Sequence, residues 1–116
     1  MNNLHRIRLR RPWQFQATPG RVRWIRRFNR PSHLGPDEQV WLVCEGLAGG
    51  PLDVALNGRA LGTLPGDGTA GQFEITAALA SRNELLLEGA KQSGPQIATG
   101  DQPPVEVCLE IRRLVQ

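Results

Sequence analysis

The feature that most restricts how this chain can fold is the run Leu52 to Leu64, Leu-Asp-Val-Ala-Leu-Asn-Gly-Arg-Ala-Leu-Gly-Thr-Leu, with Asn57-Gly58 at its centre. Val54 and Leu56 alternate with Asp53, Ala55 and Asn57, the period-two pattern of a strand with one buried face. A type I′ hairpin loop needs positive φ at both central residues, which Asn tolerates and Gly adopts without steric cost. The chain is therefore expected to reverse at Asn57-Gly58 and to return Leu61 and Leu64 to the same apolar layer. The rest of the fold is expected to build outward from this hairpin.

Several other segments read as strands. Leu4 to Arg10 places Ile7 and Leu9 on one face. Pro12 to Gly20 reads as an irregular return ending in a turn. Arg21 to Asn29 is a strand whose faces are poorly sorted, with Val22, Trp24, Arg26 and Phe28 on one parity. Two prolines and a glycine make residues 30 to 37 a loop. Gln39 to Glu45 is apolar on both sides, as a central strand is. After the loop at residues 65 to 71, Phe73-Glu74-Ile75 is a short strand, and Thr76 is placed to cap one helical turn through Ala80. Asn83 to Glu88 is a further strand. Gly89 to Pro104 reads as a long, mobile connection. Val105 to Val115 closes the fold, with Val105, Val107, Leu109 and Ile111 on one face. Seven to nine short strands with turn signals between them and almost no helix predict an all-β fold: an antiparallel β-sandwich of the jelly-roll type.

At 116 residues the chain is expected to be one domain spanning residues 1–116, too short for a catalytic (β/α)₈ barrel of roughly 250 residues. Its apolar runs fall far short of the about 20 residues a membrane span needs. The basic start is followed by no apolar h-region, so no secretory signal is expected and the chain reads as cytoplasmic. The net charge of +3 hides an asymmetry: residues 1–30 hold nine Arg and no acid, whereas residues 31–116 hold five Lys plus Arg against eleven acids, a division of +9 and −6. A nucleic-acid or polyanion surface is one reading of this. The favoured reading is structural. Arg6, Arg8 and Arg10, and Arg21 and Arg23, alternate with apolar residues, so Arg rows on strand faces are expected to meet acidic rows of Glu74, Glu84, Glu88, Glu106 and Glu110.

Five short motifs carry a resemblance. They are Trp24-Ile25-Arg26-Arg27-Phe28-Asn29-Arg30-Pro31, Val40-Trp41-Leu42, Val54 through Gly62, Phe73-Glu74-Ile75-Thr76 and Asn83-Glu84-Leu85. In that order and spacing they resemble the N-terminal sugar-binding-type domain of family-two glycoside hydrolases, the group of β-galactosidases and β-glucuronidases. The resemblance runs from about residue 21 to 88, with Val105 to Leu109 similar to the returning strand. It implies a galactose-binding-like jelly roll. Ile25 stands where the family often has Arg. No immunoglobulin-like or barrel domain follows in this chain, so the catalytic carboxylates of those enzymes have no counterpart here. The resemblance thus implies a stand-alone, non-catalytic module, with carbohydrate as the expected ligand and another protein as the alternative partner.

The residues themselves point the same way. Glycoside hydrolysis needs two carboxylates at a fixed separation, and no pair stands out. Ser32 and His33 are sequence neighbours and read as turn residues rather than parts of a triad. Two His and two Cys without ligand spacing predict no metal site, and no motif predicts a cofactor. Cys44 and Cys108 lie in strands and are expected as buried free thiols. For sugar binding, an exposed aromatic face beside polar groups is the usual arrangement. Trp13, in the irregular segment with Arg10, Arg11 and Gln14, is the candidate platform, while Trp24 and Trp41 are expected in the core. Arg26 either pairs with a carboxylate in a partly buried setting or lies at the end of its sheet.

Overall fold

In a computed structural model of the chain, which describes residues 5–10, 12–46, 50–90 and 103–114, Asn57 and Gly58 take φ values of 53° and 81°. The chain thus reverses where the type I′ requirement places the turn. Strand β5 (Leu52–Leu56) pairs with β6 (Arg59–Leu64), matching Leu52 to Leu64 and Val54 to Gly62; the register then shifts so that Ala55 meets Ala60. Leu61 is the extra residue. Strict alternation would send Leu61 and Leu64 to opposite faces, and the bulge is what lets both reach the core.

Around this hairpin lie β1 (His5–Arg8), β2 (Gln14–Thr18), β3 (Arg21–Asn29), β4 (Glu38–Glu45), β7 (Gly71–Glu74), β8 (Arg82–Ala90) and β9 (Glu106–Arg113), with a single 3₁₀ turn at Thr76–Ala78. A four-stranded sheet, β1-β9-β4-β7, faces a five-stranded one, β2-β3-β8-β5-β6, and the strand pairs are antiparallel. Setting β2 aside leaves two sheets of four in the jelly-roll order. Val40, Leu42, Val107, Leu109 and Ile111 from one sheet meet Val22, Trp24, Val54, Leu56, Leu85 and Leu87 from the other in one continuous core. Leu42, Leu85 and Leu87 are wholly excluded from solvent.

Several expectations need correction. Pro12 to Gly20 is not irregular throughout: Gln14–Thr18 forms edge strand β2, paired with β3 from Gln14 opposite Ile25 to Thr18 opposite Arg21. Its period-two pattern, Phe15 and Ala17 between Gln14, Gln16 and Thr18, is only five residues long and is flanked by Pro12, Pro19 and Gly20, whose turn signals mask it. Trp41 is not core. It lies half-buried on the outer face of the four-stranded sheet, with the Arg112 guanidinium 4.5 Å from its ring centre. Thr76 does not cap a helix with its side chain; its hydroxyl instead accepts from the Val40 N–H at 2.8 Å. Strand β8 runs beyond Glu88 through Gly89 to Ala90, and of the expected long connection residues 91–102 lie outside the described ones.

The Arg and acid rows meet as the alternation predicts except at Arg10, which forms no ion pair among the described residues, and at Glu74, whose carboxylate instead accepts from the Thr76 N–H at 2.7 Å. On the outer face of the five-stranded sheet, Glu88 takes both Arg21 and Arg23, and Arg27 meets Glu84 at 3.3 Å. On the other sheet Arg8 meets Glu106 at 3.3 Å, and Glu110 lies between Arg6 and Arg112. Burial works to raise the Glu110 pKa, but hydrogen bonds from Arg112 and Arg6 outweigh it and hold the carboxyl below its ordinary value. Glu88 is likewise depressed, chiefly by its hydrogen bond from Arg23. A carboxyl whose folded pKa is lowered adds stability above its unfolded pKa, and that stability is lost as pH falls through the folded value. Melting temperature should therefore hold steady from pH 7 to about 5 and fall below about 4.5. Glu110→Gln should cost about 1 kcal/mol at pH 7 and flatten that acid limb. Thermal melts of both proteins across this pH range check it; parallel limbs would refute the assignment to Glu110.

Cys44 and Cys108 are buried free thiols on opposite faces of the four-stranded sheet, Cys44 with the core and Cys108 outward beside Val43. Burial pushes the Cys44 thiol up to about 12, so it stays protonated at neutral pH. Among the described residues no helix is long and apolar enough to cross a membrane.

Candidate functional site

The two sheets do not close over one another completely. Where edge strand β1 faces the C-terminal end of β3 and the start of β8, an open cleft of about 810 Å³ remains. Ile7, Leu9 and Leu109 form its floor from one sheet; Phe28, Asn29, Arg82 and Asn83 come from the other, and Asn57 reaches it from the hairpin tip. The aromatic wall is Phe28, half-buried against the core.

Two asparagines hold this end of the molecule in place. Asn57 donates its backbone N–H to the Glu84 carbonyl at 2.9 Å and accepts the Glu84 N–H on Oδ1 at 2.8 Å, so the hairpin tip is bonded to β8 like a short extra strand. Its Nδ2 donates to Asn83 Oδ1 at 3.0 Å. Asn83 is buried, with Oδ1 accepting also from the Ala80 N–H at 2.8 Å and Nδ2 donating to the Ala80 and Phe28 carbonyls at 3.0 and 3.4 Å. These amides are occupied by the fold. They position the cleft rather than offer it donors.

The arginines around the cleft divide in the same way. Arg8 is held by Glu106 and Arg27 by Glu84. Arg26 fits neither expectation: it has no carboxylate partner among the described residues, and it lies within the β3–β8 ladder opposite Leu85, just past the start of β2, where it donates Nε to the Arg10 carbonyl at 2.8 Å and a terminal nitrogen to the Arg27 carbonyl. Arg82, opposite Asn29 in the ladder, is exposed and forms no ion pair or side-chain hydrogen bond among the described residues. The Asn29 amide is also exposed and unengaged among them. The unengaged polar side chains among the described lining residues are Arg82 and Asn29, which share the outward parity of Arg27 and Glu84 and so sit at the rim of the cleft, one position along from the inward Phe28. The cleft's one carboxylate among the described lining residues is Glu84.

The expected platform lies elsewhere. Trp13 is 3% exposed, and its indole N–H donates to the Leu9 carbonyl at 3.1 Å, so the ring offers no open face for stacking. Arg10 and Trp13 border a second cleft of about 560 Å³ with Glu45 and Val105, whereas Gln14 points to solvent from β2 and Arg11 lies outside the described residues. Nothing in the alternation around residue 13 reveals that burial, because Trp13 joins a core most of whose other members come from strands far away in the chain. Arg82 and Asn29 lie outside the expected site for a related reason. They are 53 residues apart and meet only through the pairing of β3 with β8. No group of three or more His, Cys, Asp or Glu that could hold a metal occurs among the described residues.

The class of molecule is thus an all-β jelly-roll sandwich with an open, apolar-walled cleft at one end. No protein-family model matches the chain, and no curated protein does. Solved structures place it more narrowly, for the fold is the one found in family-two glycoside hydrolases. A β-glucuronidase of Bifidobacterium dentium, solved with coumarin-3-O-glucuronide, superposes with a TM-score of 0.70 at 18% identity over 97% of this chain and 31% of that one. A β-D-glucuronidase of Dictyoglomus thermophilum gives 0.71 at 12% identity over 95% and 28%. A β-glucuronidase from glycoside hydrolase family 2 gives 0.59 at 18% over 81% and 11%. The chain spans less than a third of each of these enzymes.

Proposed function

We propose that this domain is a non-catalytic carbohydrate-binding module and that the cleft beside Phe28 is its site. The observation that carries the reading is an apolar aromatic wall with two unengaged polar groups, Arg82 and Asn29, at its rim, while the neighbouring Asn57, Asn83 and Glu84 side chains are bonded within the fold. A pyranose presents one apolar face and a rim of hydroxyls, which suits that combination. Glycosides named for an acid sugar, such as the glucuronide bound by one of the structural neighbours, would add a carboxylate to meet Arg82. A single cleft carboxylate, already held by Arg27, supports binding rather than hydrolysis, which uses two. The polyanion alternative has less support, since the Arg rows of β1 and β3 are largely engaged with Glu side chains.

Calorimetric and NMR titration with galactosides, glucuronides and anionic polysaccharides tests this. Binding should weaken at least about tenfold in Arg82→Ala, a loss of roughly 1.4 kcal/mol, while the melting temperature stays within a degree or two. Shifts centred on Arg82 and Asn29 support this cleft; shifts centred on the Trp13 indole and Arg10 would move the site to the second one. The absence of any sugar binding up to millimolar concentration would remove the proposal, and a steep salt dependence with polyanions alone would replace it.

A further inference from the structure

Four strands end the two sheets, and three of them carry devices that discourage pairing with another chain. Strand β6 is bulged at Leu61 and begins with Arg59. Strand β1 carries Arg6 and Arg8, and β7 is four residues long and ends in Glu74. Charges, bulges and short length are the usual protections of a sheet edge. Strand β2 has neither charge nor bulge, and at five residues it is one longer than β7. Its sequence Gln-Phe-Gln-Ala-Thr holds no charge, proline or glycine, and it pairs with β3 on one side only among the described residues. Gln14, Gln16, Ala17 and Thr18 are all exposed, including Ala17, whose parity is that of the core. The strand is also an addition to the jelly-roll order, lying outside the four strands that complete its sheet.

We propose that β2 pairs with β2 of a second copy of this chain, antiparallel about a two-fold axis at Gln16, joining two five-stranded sheets into one of ten. The strand is complementary to itself in that register. Gln16 faces Gln16 of the second copy, and Gln14 faces its Thr18, all neutral side chains able to hydrogen-bond across the strands. On the other face Phe15, half-buried and packed against Trp24 with ring centres 5.5 Å apart, lies opposite the exposed Ala17, large against small. The basic strands behind do not oppose the contact. Arg21 and Arg23 are already paired with Glu88, and the two β3 strands would lie about 14 Å apart, beyond the Debye length of roughly 8 Å at physiological salt. A symmetric interface of this kind closes on itself and stops at two copies.

A five-residue ladder buries less than the roughly 1,200 Å² of a stable interface, so association belongs to concentrations of about 0.1 mM and above. Sedimentation equilibrium from about 10 µM to 1 mM should show the monomer mass rising toward twice its value. Gln16→Lys and Gln16→Glu each place like charges on the two-fold axis, and each should weaken association at least tenfold. Gln16 neighbours Arg23 within the monomer, so the glutamate variant keeps a favourable internal contact and separates dimer loss from misfolding. Mixing the two variants in equal amounts should restore association as a mixed dimer. A monomer mass throughout, undiminished association of either variant, or failure of the mixture to associate would each overturn the proposal.

Discussion

Replacing Asn83 with Ala is expected to destabilise the domain by about 3 kcal/mol, near the top of the range for a single polar substitution. The side chain is 3% exposed and makes four hydrogen bonds, two accepted by Oδ1 and two donated by Nδ2. Truncation leaves the Ala80 N–H and carbonyl, the Phe28 carbonyl and the Asn57 amide without this partner in a place water reaches poorly. Each such group costs of order 1 kcal/mol or more when left unmade. The loss is also architectural, since these bonds tie the hairpin tip, the chain after the 3₁₀ turn and the end of β3 to one another. At about 4 °C per kcal/mol for a chain of this size, the melting temperature should fall by roughly 12 °C. Urea unfolding of Asn83→Ala beside Arg82→Ala, its exposed neighbour, measures it. A loss under 1 kcal/mol would mean that the amide network is dispensable.

Gly89→Ala is expected to cost about 2–3 kcal/mol, although it adds one methyl group to a strand. A Cβ at residue 89 would stand 2.7 Å from Leu52 Cδ2 and 2.9 Å from the Pro51 carbonyl oxygen. The leucine could turn away at the expense of the core, but the carbonyl belongs to the chain entering β5. Glycine is needed here for close approach: Gly89 sits opposite both Leu52 and Val22 in the middle of its sheet. Ordinary strand propensity would have Ala favoured over Gly, so the sign of the effect separates packing from propensity. A urea midpoint for Gly89→Ala equal to or above that of the parent would refute the steric argument.

The cleft and the β2 edge place two different demands on the same scaffold. The cleft depends on Asn57 and Asn83 holding the ends of three elements, and the edge depends on β2 lying flat beside β3. Because the two sites share strand β3 but no side chain, Arg82→Ala and Gln16→Glu should act independently on sugar binding and self-association, additive within experimental error.

Local chemistry alone determined a good deal of this protein. Positive φ at Asn57-Gly58, the apolar parity of residues 52–56 and 105–111, and the sorting of Arg6, Arg8, Arg21 and Arg23 onto faces opposite acidic residues could all be read from neighbours in the chain. Period-two patterns and turn residues act over two to four positions, so they need no partner to be recognised. What only the tertiary structure decided involves pairs distant in sequence: Trp13 bordering one cleft with Val105, Arg112 lying over Trp41, Asn29 meeting Arg82, and Pro51 approaching Gly89 of β8. Burial and proximity are properties of the folded surface, set by which strands become neighbours. A residue's own flanks carry no record of which strand will lie beside it.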